Sequence, residues 1–452
     1  MNVKTNENVS LKGEGLLETM RETIKDGLIP SKIFHDEDIY KLEKERLFSK
    51  TWNFLAHESE IPNNGDYVVR YIADDSFIVS RDNKGEIYVN LNSCSHRGME
   101  LCNVERGNSS HFRCPYHGWT FKNDGKLIGV PLEKKIYGND SGLRQTCSLV
   151  SPQVGVYNGL IFACIDQNAE SLEEYLGDFK WYLDIYTNKT SGGIEVVGAP
   201  QRWVAEANWK TGSDNFVGDV YHVQVTHRGN FEVAAKLTNT DIGSIDMHTT
   251  GGVQVTAGKG GLCLIEVPPG MVAGMPDLFH ESIKENLPEQ LAVLNSEQFS
   301  LKELNGTIFP NFSLLTTPSV QLPDGTIAVP HFLTLRVWRP IDSGKMEIWS
   351  WVFVDKGAPE WYKERAYKEY VTTFGPSGTF EQDDAENWQG ITKIAKSSMA
   401  KDRYLNYTMG MKNNNADEIP NWPGPGKAYS SAVNEANQRN FFSLYLDYLS
   451  KK

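Results

Sequence analysis

The sequence predicts an α+β fold in which an all-β N-terminal domain precedes a larger domain of antiparallel sheet covered by helices. Length is the first observation, since 452 residues suit two or three domains. The second is a change of hydrophobic period, which becomes two from Asp66 onward and marks short strands ended by turn residues. The third is a return to helical spacing after about residue 165, interrupted by the alternating runs Phe332–Trp338 and Met346–Val354. Three segments follow: 1–37, helical and packed on the last domain; 38–165, all-β; and 166–452, mixed.

Within the first segment, Leu16–Leu28 is amphipathic. His35–Phe48 reads as a helix, with Ile39, Leu42, Leu47 and Phe48 at helical spacing. Tyr67–Tyr71, Phe77–Ser80 and Glu86–Leu91 read as strands, separated by turns at Asp74-Asp75 and Asn83-Lys84-Gly85. One hairpin is expected around Asp124-Gly125, and another joins Val154–Tyr157 to Leu160–Phe162 through Asn158-Gly159, a type I′ signal. Beyond it, Leu172, Tyr175, Leu176, Phe179 and Leu183 define a helix, and Glu195–Gly198 and Gln201–Ala205 are strands. A helix then carries Asn215–His227. Gly251–Gly270 is strand-like and Ile283–Glu303 reads as a charged helix. Pro359 opens a helix reaching about Thr373, another starts near Gln382, and Ala432–Leu449 is the last.

With 40% hydrophobic and 23% charged residues, the chain can bury an ordinary globular core. A net charge of −13 argues against a nucleic-acid binder. Met1–Asp26 has no apolar h-region and no 18-residue apolar run occurs, so neither a signal peptide nor a membrane span is expected. The compartment read from this is the cytoplasm. The six cysteines, Cys94, Cys102, Cys114, Cys147, Cys164 and Cys263, then read as thiols or metal ligands, not as a disulfide scaffold.

Two constellations carry chemistry. Cys94-Ser95-His96-Arg97-Gly98 and Cys114-Pro115-Tyr116-His117-Gly118-Trp119 form the pattern C-x-H-x17-C-x2-H. A zinc site of two cysteines and two histidines would use C-x2–4-C with H-x3–5-H, whereas here each loop supplies one Cys and one His. That split suits a Rieske centre, in which two thiolates hold one iron of a 2Fe–2S cluster and two imidazoles hold the other. Gly98, Gly118 and Pro115 allow tight loops. Cys102 lies near the first loop, but no cysteine falls between Pro115 and Trp119, so a loop-tying disulfide is not expected.

The second constellation is Asn215–His227. On a helix Asn215, Asp219 and His222 share a face, while His227, five residues past His222, joins them only if the helix bends or ends. Two imidazoles and a distant carboxylate would make the facial triad of a non-haem Fe(II) oxygenase. The run Phe374–Trp388 offers Glu381, Asp383, Asp384 and Glu386. Spacing does not choose among the four, and an acidic helix N-terminus is the alternative reading of all of them.

Together with Trp52–His57, Asn208-Trp209-Lys210 and Phe309-Pro310-Asn311, these blocks carry a resemblance over nearly the whole chain. The sequence resembles the large (α) subunit of Rieske non-haem iron aromatic-ring-hydroxylating dioxygenases, of the naphthalene and biphenyl dioxygenase group. The resemblance implies a 2Fe–2S cluster on Cys94, His96, Cys114 and His117, and a mononuclear iron on His222, His227 and Asp384. It implies that Asp219 bridges the two centres across a subunit boundary and that Asn215 stands near the iron. It also implies an α3 or α3β3 assembly with a small β subunit. Electrons would come from a ferredoxin or an NAD(P)H-dependent reductase, because no G-x-G-x-x-G follows a strand here.

By the same resemblance the substrate pocket is lined by Asn215, Phe216, Val223, Trp338, Phe374 and Phe380, which suit a flat hydrocarbon. Arg336 and Arg339 are expected to face elsewhere. The expected function is a terminal oxygenase that adds both atoms of O2 to an aromatic hydrocarbon, polycyclic or biphenyl-like, to give a cis-dihydrodiol. A Rieske monooxygenase or demethylase shares both sites and differs in product. A Rieske protein that only transfers electrons would need no mononuclear iron.

Overall fold

The structure is a computed structural model and describes residues 12–190, 192–238, 252–265, 271–272, 294–295, 297–298, 301–317, 319–321, 327–412 and 415–451. The N-terminal helix Lys12–Thr23 leads through one 3-10 turn to a strand, Leu28–Pro30, which pairs with Tyr404–Asn406. The helix expected over His35–Phe48 has two parts. Asp36 caps Glu37–Leu42 by accepting from the Asp38 and Ile39 amides, and the chain then widens into a π-helical stretch, Glu43–Phe48. Ile39, Leu42, Leu47 and Phe48 are all buried, as their spacing requires.

Three small antiparallel sheets make the β domain. Ile87–Leu91, Asp75–Arg81, Asp66–Ile72 and Arg106–Asn108 form one, and His111–Arg113, Thr120–Lys122 and Leu127–Gly129 form the next. Gln153–Tyr157, Leu160–Cys164 and Asn53–His57 form the third. Its hairpin turns at Asn158 (φ 48°) and Gly159 (φ 78°), the two positive φ values that a type I′ turn needs. Gly159 is required for a second reason: a Cβ there would stand 2.4 Å from His57 Nε2. This sheet also ties the domain to the rest, because Phe54 stacks on Phe312 with ring centroids 4.4 Å apart and meets Trp351 edge-on at 5.2 Å.

The second domain is built on a nine-stranded antiparallel sheet. Its order is Ile194–Val196, Lys345–Asp355, Leu333–Asp342, Phe312–Thr316, Glu303–Ile308, Gly260–Ile265, Gly252–Ala257 and Lys427–Tyr429, with Gln201–Ala205 also paired to Lys345–Asp355. Helices Trp209–Phe216, Glu360–Thr373, Thr379–Ala395 and Ala436–Ser450 pack on it. The α+β fold read from the sequence is the fold observed.

Further local readings change, among them the last helix, which is Ala436–Ser450 instead of the expected Ala432–Leu449. The helix expected from Leu172 to Leu183 is two helices, Leu172–Leu176 and Phe179–Thr187, because Gly177 takes a positive φ that ends the first. The helix expected from Gln382 begins at Thr379. Most of the charged helix read over Ile283–Glu303 lies outside the described residues, and Glu303 itself opens a strand.

A buried polar knot anchors the Trp209–Phe216 helix. The Glu43 carboxylate accepts from Lys210 Nζ, from Trp209 Nε1 at 2.9 Å and from Tyr445 Oη at 2.6 Å. Glu43 and Lys210 are both fully buried, so each charge depends on the other. Replacing Lys210 by Met is expected to destabilise the protein by about 3–5 kcal/mol, because it leaves a buried carboxylate without its cation. Urea unfolding measures this, and Lys210→Met with Glu43→Gln, which removes the charge but keeps an acceptor for Trp209 and Tyr445, should recover much of the loss.

Candidate metal centres

The two cysteine–histidine loops close in the same way. In the first, the Cys94 amide donates to the Met99 carbonyl at 2.9 Å and the Gly98 amide to the Cys94 carbonyl at 2.8 Å. In the second, Cys114 donates to Trp119 at 2.7 Å and Gly118 to Cys114 at 3.0 Å. Gly98 and Gly118 sit at φ 72° and 74°, so both loops turn left-handed at the residue four past the cysteine. Cys94 and Cys114 are buried, and His96 and His117 meet with ring centroids 4.6 Å apart. His96 also lies flat on Trp119, at 4.7 Å and 7°.

Nδ1 of His96 and Nδ1 of His117 are buried with no hydrogen-bond partner. Unpaired buried nitrogens are costly unless something fills the space they face. Burial pushes the Cys94 thiol up, while the backbone amides of His96 and Arg97 work the other way and favour a thiolate. Two thiols and two orphaned imidazole nitrogens on paired loops fit a 2Fe–2S cluster of Rieske type. Cys102, free and buried, packs in the same small core.

The segment Asn215–His227 is not one helix. Trp209–Phe216 ends at Val217, Gly218 takes φ 144°, and a single turn, Val223–Thr226, separates the two histidines before Arg228–Thr238 begins. Asn215, Asp219 and His222 therefore meet across a turn instead of along a helical face. Asn215 Nδ2 stands 3.2 Å from His222 Nδ1 and 3.5 Å from Nε2.

Across from them runs Thr379–Ala395, whose buried face is Glu381, Asp384, Trp388, Thr392 and Ala395. Asp384 Oδ1 lies 3.4 Å from His222 Nε2 and 3.3 Å from His227 Nε2. Ligand atoms of His222, His227 and Asp384 all fall within 4.8 Å of one another, the spacing of three donors around one ion.

The remaining ring nitrogens have their own carboxylates. Asp219 Oδ2 is 3.2 Å from His222 Nδ1, and Asp383 Oδ2 is 3.2 Å from His227 Nδ1. Asn230 Nδ2 donates to the same Asp383 oxygen at 3.1 Å. Such outer carboxylates fix the tautomer and orientation of a ligating imidazole. The four acids of the run thus separate: Asp384 turns inward, Asp383 backs His227, Glu381 pairs with Arg336, and Glu386 is exposed.

Electrostatics follow from this. Burial disfavours the charge on His222, but hydrogen bonds to Asp219 and Asp384 outweigh it and raise its pKa to about 10. Burial would raise Asp384, yet the two histidines lower it to about 2.

Two of the aromatic residues expected to line the pocket pack together near the triad. Phe374 and Phe380 stack at 5.3 Å, and Phe380 lies 4.8 Å from the His227 ring, so these two form a wall beside the triad. Val223 is partly exposed. Trp338 is fully buried, sits under Gly212, meets Phe216 at 5.0 Å and Trp388 at 5.1 Å, and donates to Ser313 Oγ at 2.8 Å. It thus packs between Phe216 and Trp388.

Arg336 turns to Glu381 and to the Phe374 carbonyl. Its guanidinium stands 4.9 Å from the Phe216 ring and 5.6 Å from the Phe374 ring, fully buried and paired with Glu381. Arg339 does face elsewhere, toward Glu347 and Tyr71. Phe231, 6.0 Å from Phe380, is a neighbour that the sequence reading misses; the signal for it is its i+4 spacing from His227.

A pair of loops bearing sulfur and imidazole, joined to a largely buried cluster of two histidines and a carboxylate, defines an iron–sulfur oxygenase component. Residues 51–147 match the Rieske [2Fe-2S] domain, and residues 172–422 match the ring hydroxylating alpha subunit (catalytic domain). The chain is 34% identical to N,N-dimethyl phenylurea N-demethylase subunit alpha of Sphingobium sp. (strain YBL2), covering 96% of this chain and 94% of the relative. It is also 34% identical to the large oxygenase component of the naphthalene 1,2-dioxygenase system of Pseudomonas putida, covering 94% and 92%. Among solved structures, naphthalene 1,2-dioxygenase from Rhodococcus sp. bound to indole superimposes with a TM-score of 0.86 at 44% identity, over 97% of this chain and 99% of that one. The chain belongs to the Rieske ring-hydroxylating oxygenase α-subunit family, whose members carry a 2Fe–2S cluster and a mononuclear non-haem iron. No helix among the described residues is long and apolar enough to cross a membrane.

Asp383→Asn should weaken ferrous-ion affinity by about 10–100-fold, as loss of an outer carboxylate does elsewhere, while leaving the cluster's spectrum unchanged. Competition with a chelator measures it. A second outcome concerns protons. With a pKa near 10, His222 is charged at pH 7.5 in the metal-free protein and must lose that proton to ligate. Ferrous-ion binding at pH 7.5 is therefore expected to release about one proton from His222, with affinity rising with pH up to its pKa. Calorimetry in buffers of differing ionisation enthalpy measures the release.

Proposed function

We propose that this chain is the terminal oxygenase of a multicomponent system and converts an aromatic hydrocarbon, O2, two electrons and two protons into a cis-dihydrodiol. The observation that carries the reading is the coexistence, in one chain, of the paired Cys/His loops and the clustered His222, His227 and Asp384. When bound, the cluster on Cys94, His96, Cys114 and His117 supplies single electrons, and the ferrous ion on His222, His227 and Asp384 supplies the O2 chemistry.

The protein's own part is positional. Asp219 orients His222 through Nδ1, and its partly exposed carboxylate can accept a second N–H from a Rieske histidine of a neighbouring subunit. Asp383 does the same for His227 from the other side. Asn215 lies against the His222 ring, where it can contact a substrate or an exchangeable ligand. Phe216, Phe374 and Phe380 offer ring faces to a flat substrate, with Val223 at the opening and Trp338 as the layer behind Phe216. Arg336 does not make this pocket an anion site, because Glu381 already neutralises it.

The working enzyme is read as an α3 or α3β3 assembly in the cytoplasm, fed by a ferredoxin or an NAD(P)H-dependent reductase. Its segments are 1–37, 38–165 and 166–452. The substrate is read as polycyclic or biphenyl-like. A second reading, oxidative N-demethylation, is favoured by one observation: the relative aligned over 96% of the chain is an N-demethylase subunit.

A single turnover separates the two. The reduced, iron-loaded protein is mixed with 18O2 and, separately, naphthalene, biphenyl, toluene, benzoate or an N,N-dimethyl phenylurea. A dihydrodiol with two labelled oxygens is the expected product. Formaldehyde from the urea, or a product with one labelled oxygen, would favour the second reading. Product formation unchanged in Asp384→Ala would overturn both.

A further inference from the structure

The turn that delivers Asp219 to His222 is held by side chains from outside its own segment. After Phe216 the helix ends, and Gly218 takes φ 144°, a region that residues with a Cβ rarely enter. Asn437, in the C-terminal helix, donates from Nδ2 to the Val217 carbonyl at 2.9 Å and to the Leu262 carbonyl at 3.0 Å. Its Oδ1 accepts from Thr256 Oγ1 at 2.7 Å, so both ends of the amide are used. Gln254, in the strand Gly252–Ala257, donates from Nε2 to the Gly218 carbonyl at 2.8 Å. The same nitrogen serves the Ala432 carbonyl at 3.0 Å and the Asn434 carbonyl at 2.8 Å. The two carbonyls flanking the Val217–Gly218 corner are thus each gripped by a buried amide.

Two further facts show how specific this grip is. Gln254 Oε1 is buried and has no partner, an arrangement tolerated only because turning the amide over would set its oxygen against three carbonyls. A Cβ at position 218 would come within 2.8 Å of Asn437 Nδ2, so the glycine and the clamp require each other. The next residue is Asp219, whose Oδ1 accepts from the Tyr221 amide at 3.0 Å while Oδ2 faces His222 Nδ1 at 3.2 Å.

We propose that Gln254 and Asn437 are positioning residues for the mononuclear centre: by fixing the Val217–Gly218 corner they set where Asp219 and His222 project. The proposal rests on the metal-site reading above. Neither residue touches a ligand atom, so the effect passes through the backbone.

The test uses the full chain and ferrous ion alone as the probe. Asn437→Asp keeps the shape but turns an oxygen toward two carbonyls, and Gln254→Met removes the donor. Each is expected to speed ferrous-ion release to a chelator by about 10–100-fold, in the range seen when ligand orientation is lost. Each should also change the electron-spin resonance of the nitrosyl adduct and lower kcat with KM nearly unchanged, while the cluster's own signal stays as in the wild type. Gln254→Asn and Asn437→Ser, which keep a shorter donor, should fall between and serve if the first pair does not fold. Leu183→Ala, a truncation of a buried leucine in Phe179–Thr187, supplies a variant destabilised without touching the clamp. Clamp variants that lose thermal stability as Leu183→Ala does, yet release iron and give a nitrosyl spectrum like the wild type, overturn the proposal. A wild-type chain that fails to bind ferrous ion overturns the metal-site reading instead.

Discussion

Two imidazoles five residues apart on a regular α-helix point about 140° away from each other, so no regular helix could aim His222 and His227 at one ion. The catalytic domain depends on breaking that helix at defined places. Trp209–Phe216 is anchored by the buried Glu43–Lys210 pair and by close packing of Gly212 on Trp338. Gly218 then turns the chain, a single helical turn separates the histidines, and Arg228–Thr238 starts afresh after His227. The irregular stretch therefore runs between two helices, the first of them anchored in the core. What remains is the direction of Asp219 and His222, and that is where the buried amides act.

The acidic run shows how far one-dimensional spacing reaches. From the sequence, four acids compete for one place, and all fit a helix N-terminus. The helix begins at Thr379, and its buried face repeats as Glu381, Asp384 and Trp388. Once that face is known, Asp383 lies on the flank, where it meets His227 Nδ1, and Glu386 turns outward. The ambiguity is one of helical phase. Resolving it needs the large Trp388 to define the inner face, together with the sheet it packs against.

Local features are legible in the sequence and paired distant ones are not. The cysteine loops can be read because each carries its own closure, a glycine four residues past the cysteine. The Asn158-Gly159 turn and the Pro359 helix start are of the same kind. Arg336 illustrates the opposite case. Alternation along Leu333–Asp342 shows which residues share a face, but not whether the other face is also covered. Here helices cover it, so Thr334 and Arg336, polar positions in a period-two pattern, are buried. The same covering draws Trp338 into the layer behind Phe216. The partner that makes Arg336 tolerable, Glu381, is 45 residues away.

That pair bears directly on the metal. Asp219, Asp383 and Asp384 surround two imidazoles, and without an ion the excess of negative charge keeps His222 protonated. Such a surplus attracts a divalent cation and holds it against loss. Glu381, three residues before Asp384 and on the same buried face, would add a fourth negative charge in a region of low dielectric. Its carboxyl is pushed up to about 7, chiefly by burial, with Arg336 opposing and Asp384 reinforcing the rise. Arg336 therefore has two consequences. It opposes the rise in the Glu381 carboxyl at the start of the Asp384 helix, and it places its own charge against that acid beside the aromatic wall. The extra acid on the Asp384 helix is thus met by a buried cation that also stands 4.9 Å from the Phe216 ring and 5.6 Å from the Phe374 ring.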